Sequence, residues 1–387
     1  MCPENTLYLD YNATTPIDPA VREAMLPFLA EHYGNPSSLH VIGQKAAEAV
    51  STARDQVAKL LGCQSREIIF TSGGTESSNL AITGSIQACE DPASAHIITS
   101  AIEHPATTGP IQALQPGGCE VTVIGCNPQG QVDPQDIQAA IRPNTRLVSL
   151  MHANNEVGTI QPVQQVAQIC RQAGVLFHVD AAQAVGKLPV SVDSIGADLI
   201  TLAGHKFYAP KGIGVLFVRE GVVLHPVLYG GGQERGLSPG TENVALTVAL
   251  GKAAEIAEQA QMSECARLAK LRDEFEGHLE EATGGEVVIH ARAAERLPNT
   301  SSIAFPGVEG QRLLDHIPLL CASTGAACHS HSTTVSATLA AMRISEQVAR
   351  STIRISLGRF TTAPEVHRAG TALTETWKQL AGESSPA

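Results

Sequence analysis

The sequence predicts an α/β protein: a large domain on a mainly parallel, seven-stranded sheet, followed by a smaller α+β domain. Three observations carry this reading. Seven short apolar runs alternate with amphipathic stretches, a rhythm that builds parallel sheets covered by helices on both faces. Beyond Gly251 the pattern changes to a long, charge-rich helical run. The 387 residues also exceed what one core of ~100–200 residues accounts for, so two or three domains are expected.

In chain order the candidate strands are Ile68–Thr71, His96–Thr99, Glu120–Ile124, Leu147–Met151, Leu176–Val179, Leu199–Leu202 and Val215–Val218. Helical patterns such as Glu76–Cys89, Pro134–Ile141 and Val163–Ala173 lie between them. A helix over Glu255–Glu281, strands near Glu286–Ile289 and Ser301–Phe305, and a last helix over Glu365–Leu380 make up the smaller unit. The expected division is an N-terminal arm, 1–15, packing with the small domain, a large domain, 16–255, and a small domain, 256–387. The Ser-rich stretch Ser330–Ser336 reads as a loop, because a helical pattern follows it directly.

Composition narrows the function. Only 26 Lys and Arg face 38 Asp and Glu, a net charge of −12, which argues against nucleic acid or a membrane surface as partner. No apolar run approaches the ~20 residues of a membrane span. The opening Met-Cys-Pro-Glu-Asn has neither a basic region nor an apolar stretch, so a cytoplasmic protein is expected. Nine cysteines without a Cys-x-x-Cys pair suggest neither a disulfide framework nor a structural zinc site. The sequons at Asn12 and Asn299 are then chance matches.

Ligands on such sheets bind beyond the carboxyl ends of the strands, and four features fall there. Phe70-Thr-Ser-Gly-Gly-Thr-Glu76 takes a strand through a Gly-rich turn into a helix, aiming free amides at an anion; an ordinary capped turn is the competing reading. Asp180, at the end of His178-Val-Asp, either caps a helix or pairs with a cationic ring nitrogen such as a pyridinium. Lys206, in Leu202-Ala-Gly-His-Lys-Phe-Tyr208, suits a Schiff-base amine with a lowered pKa, although a lysine there is often merely a solvated strand end. His104, in Ile102-Glu-His-Pro, could stack on a ring and shuttle protons, or lie on the surface before its proline. Asn155 or Gln183 could bond a ring hydroxyl. Ser323-Thr-Gly-Ala-Ala-Cys328-His-Ser-His331 combines small residues, a thiol and two histidines, which suits a nucleophile or sulfur carrier. As metal ligands Cys328, His329 and His331 lack a fourth partner, so no metal is expected.

Taken together, these motifs resemble the pyridoxal-phosphate-dependent cysteine desulfurases and selenocysteine lyases of the class V aminotransferase fold. The resemblance runs from Leu9-Asp-Tyr-Asn-Ala-Thr-Thr-Pro16 to Ile355-Ser-Leu-Gly-Arg-Phe-Thr-Thr362. It implies a fold-type-I large domain and pyridoxal 5'-phosphate as cofactor. Lys206 would be the Schiff-base lysine, Asp180 the pyridinium partner and His104 the stacked imidazole. Asn155 and Gln183 would hold the ring hydroxyl, while Gly74, Thr75 and His205 would hold the phosphate. Thr241 would reach the phosphate from a second subunit, which implies a homodimer. Arg354, with Asn12 and Asn155, would bind the substrate carboxylate, and Cys328 would take the chalcogen, with His329 beside it. Ala203 departs from the serine common in desulfurases.

The substrate expectation leans to L-selenocysteine, on the run Gly325-Ala-Ala-Cys-His-Ser330 and the apolar residue at 203. A cysteine desulfurase delivering sulfur to an acceptor protein is the alternative. An inactive scaffold that only docks acceptors is the reading from another class; the intact Lys206, Asp180, Arg354 and Cys328 count against it.

Overall fold

The structure, a computed structural model, describes residues 5–324 and 335–383. Its strands are β1 (Leu7–Tyr8), β2 (Ile68–Thr71), β3 (His96–Ser100), β4 (Glu120–Ile124), β5 (Thr145–Met151), β6 (Leu176–Asp180), β7 (Leu199–Ala203), β8 (Gly214–Val218), β9 (Val288–Ile289), β10 (Thr300–Ala304), β11 (Leu320–Cys321), β12 (Ser323–Thr324) and β13 (Thr352–Ser356). Seven of them form one sheet in the order β2-β8-β7-β6-β5-β3-β4. Within it β8 runs antiparallel to both neighbours, and the remaining pairs are parallel.

This sheet arises from the apolar runs. β3, β7 and β8 are buried at every residue, as strands covered on both faces must be, and β7 and β8 read accordingly as near-continuous apolar runs rather than as alternation. β4 lies at the edge and shows the polar pattern an edge tolerates. The seven expected strands lie within two residues of the observed ends, and Val163–Ala173 is a helix over its full expected range.

One helix, Val244–Thr283, serves both halves of the molecule. Asn243 caps its start by accepting from the Leu246 amide, and Gly284, at φ 66°, ends it in the left-handed region that favours glycine. Its first part buries Val244, Leu250, Ala254 and Ala257 in the core of the large sheet. Its last part buries Leu268, Leu271, Phe275 and Leu279 in a second core with Phe305, Ile353 and Trp377. The expected division between 255 and 256 therefore falls inside a continuous helix. The second core lies against an antiparallel sheet in the order β12-β13-β10-β9 and the helix Ala363–Glu383.

The segment after β1 ties the two halves together. β1 pairs in parallel with β11, and Leu7 and Leu9 belong to the second core. Asp10 bridges Ser356, and five residues later Thr15 donates its amide to the His205 carbonyl at 2.9 Å. The backbone of residues 11–14 thus runs across the carboxyl ends of the large sheet. Among the described residues, no helix is long and apolar enough to cross a membrane.

Candidate active site

β3, β5, β6 and β7 end around one cavity of about 430 Å³. Lys206, Asp180, His104, Asn155, Gln183 and Arg354 all line it. So do Asn12, Gly74, Thr75, His205 and Ala203. A larger hollow of about 540 Å³ lies around Arg54, Glu234 and Glu242, but Arg54 and Glu234 satisfy each other there in a two-point ion pair, and none of the candidate site residues read from the sequence lines it. The chemistry belongs to the smaller cavity.

Lys206 sits at the end of a single tight turn, Gly204–Lys206, directly after β7. Its Nζ donates to the carbonyls of Asn12 at 2.7 Å and Ala13 at 2.8 Å. Burial, and then the Arg354 charge, lower its pKa to about 8, against the opposing pull of Asp180 and Asp10. Asp180 ends β6. Burial raises its pKa, while the Ala182 amide, His104 and Lys206 favour the anion. One oxygen accepts from Ala182 N at 2.9 Å, and no side chain among the described residues donates to it. His104 caps the helix Pro105–Leu114, its Nδ1 accepting from Ala106 N at 3.1 Å. Nε2 then carries the proton of the neutral ring, the form that burial favours by lowering the pKa.

The anion cradle follows from three glycines. Gly73, at φ 152°, turns the chain from β2 into the helix Gly74–Gln87, whose start has no side-chain cap. A Cβ on Gly214 of β8 would come within 2.6 Å of the Gly73 carbonyl carbon, and one on Gly74 within 3.2 Å of the Ala203 Cβ. Backbone amides are thus brought to the cavity wall. His205 lies beside it, its Nδ1 3.2 Å from Thr14 Oγ1, and burial lowers its pKa to about 4.

On the opposite wall Arg354, from β13, donates Nη2 to Asp10 Oδ1 at 2.7 Å and to Ser323 Oγ at 3.0 Å, and Nη1 to the Asn155 carbonyl at 3.1 Å. Its Nε is buried with no partner among the described residues. Asn12 donates Nδ2 to the Asn155 carbonyl and to Thr300 Oγ1. Thr241 is exposed and lies off the cavity wall. Cys328 and His329 lie outside the described residues, as does His331.

A family model for aminotransferase class-V matches residues 7–369. The chain belongs to that family. It is 44% identical over 363 residues to a "Cysteine desulfurase IscS" of Dictyoglomus turgidum, covering 93% of this chain and 92% of that one. A solved "NIFS-LIKE PROTEIN" superposes with a TM-score of 0.89 at 36% identity, covering 97% of this chain and all of that one. Another, "SspA in complex with cysteine", gives 0.82 at 36% identity and covers 92% of this chain and all of its own.

This member of the class-V aminotransferase family is a pyridoxal-phosphate-dependent enzyme of the cysteine desulfurase group. Its cavity suits the cofactor on its own chemistry. A buried carboxylate without a side-chain donor, a lysine held partly neutral and an uncapped helix start provide for a ring nitrogen, an aldehyde and a phosphate respectively.

Four further polar residues at this class-V site went unrecognised in the sequence. Asp10 and Ser323 hold Arg354. Lys187 is buried, four residues after Gln183. Glu103 accepts from the Met151 amide at 3.0 Å, and burial raises its pKa to about 8. For Lys187 the available signal was a charged residue inside an apolar stretch, Gln183-Ala-Val-Gly-Lys187.

Proposed function

We propose that the enzyme is a cysteine desulfurase, turning L-cysteine into L-alanine and passing the sulfur to Cys328. The observation that carries this is the single cavity holding Lys206 and Asp180 on one side and Arg354 on the other, sized for a small α-amino acid beside the cofactor. The names of relatives at 43–45% identity support L-cysteine over L-selenocysteine, the substrate the sequence alone favoured.

Pyridoxal phosphate supplies an electron sink when bound. Lys206 would provide the amine that holds it, Asp180 would pair with the ring nitrogen, and Asn155 and Gln183 would serve the ring oxygen. The amides at Gly74 and Thr75, with His205, take the phosphate. With Thr14 donating to His205 Nδ1, the Nε2 proton is left for a phosphate oxygen. Arg354 and Asn12 orient the substrate carboxylate, and His104 and Lys206 carry protons.

The Cys328 thiolate attacks the substrate sulfur. An S–S bond forms and the C–S bond breaks. Sulfur is oxidised and the carbon reduced; the carbon takes up a proton, and a persulfide and L-alanine result. Thr241, with the exposed Tyr33, Leu39, Val41 and Tyr229, supports a homodimer in which Thr241 reaches the phosphate of the other copy.

Three measurements test this reading. Borohydride treatment of the holoenzyme fixes the cofactor to a peptide containing Lys206; a label elsewhere refutes the lysine assignment. Alanine release from L-cysteine is abolished in Cys328→Ala; full activity without that thiol refutes its role. Alanine release from L-selenocysteine more than about tenfold faster than from L-cysteine returns the assignment to a selenocysteine lyase.

A further inference from the structure

Among the described residues Lys187 has no carboxylate partner, although it is buried. Its Nζ donates to Gln183 Oε1 at 2.5 Å and to Asn12 Oδ1 at 2.9 Å. Both acceptors belong to residues that line the cavity. The rest of the network leaves no freedom in how these amides face. Asn12 Nδ2 points to the Asn155 carbonyl, which can only accept, so Asn12 Oδ1 must face Lys187. Gln183 Nε2 points to the Asn12 carbonyl at 2.9 Å, so Gln183 Oε1 must face Lys187 as well. Burial and the nearby Lys206 and Arg354 charges hold Lys187 well below the usual lysine pKa. Two amide oxygens, rather than a carboxylate, are therefore what receives its N–H groups.

The two oxygens do not depend on Lys187 equally. Asn12 Oδ1 also accepts from Asn299 Nδ2 at 3.1 Å, whereas Gln183 Oε1 has no second donor among the described residues. We propose that Lys187 is a positioning residue for the cofactor: by donating to Gln183 Oε1 it locks and polarises the Gln183 amide so that the NH2 group serves the ring oxygen. Donation at one end of an amide strengthens donation at the other. Without Lys187 a buried oxygen is left unpaired, and the amide swings to find water or another donor. The inference rests on the reading of Gln183 given above.

The test is a pH titration of the visible absorption of the Lys206-bound cofactor in the holoenzyme. A donor on the ring oxygen draws electron density away from the neighbouring Lys206–cofactor nitrogen and lowers the pH at which that nitrogen loses its proton. Lys187→Met is expected to raise the titration midpoint by about half to one pH unit, the scale of one hydrogen bond. Gln183→Leu is expected to raise it similarly, and the double variant no further than Gln183→Leu alone.

An unchanged midpoint in Lys187→Met while Gln183→Leu shifts would overturn the role of Lys187. So would a Lys187 effect that persists in full in the Gln183→Leu background, since that marks a plain charge effect. Unshifted midpoints in both single variants would instead overturn the placing of Gln183 at the ring oxygen. Should Lys187→Met fail to fold, Lys187→Leu removes the same donor and is expected to raise the midpoint equally; no shift there also counts against the proposal.

Discussion

Asp10 Oδ1 and Arg354 Nη2 lie 2.7 Å apart, so the cation proposed to bind the substrate carboxylate already has a carboxylate of the protein on one side. Ser323 and the Asn155 carbonyl occupy further donors, and the buried Nε remains unpartnered among the described residues. The guanidinium is held from behind by three groups and keeps a donor for the ligand.

A planar, multiply anchored guanidinium cannot be replaced by a point charge. Arg354→Lys is expected to lower kcat/KM for L-cysteine by one to two decades, about 1.5–3 kcal/mol of a charge-assisted contact. Most of the loss should appear in KM. Steady-state kinetics checks this, and unchanged efficiency would place the substrate carboxylate elsewhere.

The lowered pKa of Lys206 has a direct consequence for cofactor loading. Only the neutral amine attacks the cofactor's aldehyde. With a pKa of about 8 roughly a tenth of the lysine is neutral at pH 7, against a tiny fraction for an unperturbed lysine. The rate of reconstitution from apoenzyme should therefore rise with pH and level off above about 8. A rate still climbing steeply at pH 10 would show that Lys206 is not perturbed.

Buried neutral histidines make the fold sensitive to acid. Burial lowers His178 to about 3 and His152 and His290 to about 4. His178 is held by Ser149 and Thr201 at 2.8 and 2.9 Å, and His290 by Thr352 at 3.0 Å. The unfolded chain takes up protons below about pH 6.5 that the folded chain refuses. Stability is thus fully present above that pH and lost as pH falls toward 4, by about 1.4 kcal/mol per pH unit for each histidine. Thermal melting between pH 7 and 5 should show the loss, and His290→Gln should make it shallower.

Gly358 packs against the ring of Tyr11, where a Cβ would overlap ring carbons. Gly358→Ala should push Tyr11 outward and with it the Asn12 and Ala13 carbonyls that hold Lys206. A stability loss of about 1–3 kcal/mol is expected, together with faster cofactor release. Denaturant unfolding and dialysis against a cofactor trap measure the two effects; loss of stability without faster release would separate Gly358 from the site.

Much of this architecture was legible because the large sheet's strands are long, apolar and buried, so their sequences announce them. Lys206, Asp180 and His104 were legible for the same reason, since a polar residue at the end of such a run stands out. β1, β11 and β12 were not: two residues have no period, and each strand exists through its partner. Asp10 was missed because its meaning lies in Arg354, on a strand more than 300 residues away. Lys187 was missed because a lysine inside an apolar stretch looks like a surface residue until its two acceptors are seen.

The continuous helix Val244–Thr283 gives the site a fixed gauge. Lys206 follows a strand of the large sheet, and Arg354 stands on a strand packed over the second core. Both cores grip the same rod, about 60 Å long. On the proposed reading, the gap between amine and guanidinium is held by a stiff element shared by both cores. An α-amino acid would then be expected to fit it through its own amino and carboxylate groups, and a longer ω-amino acid would not. Selection for the amino acid backbone would, in that sense, be a matter of calibre, with the calibration in the helix.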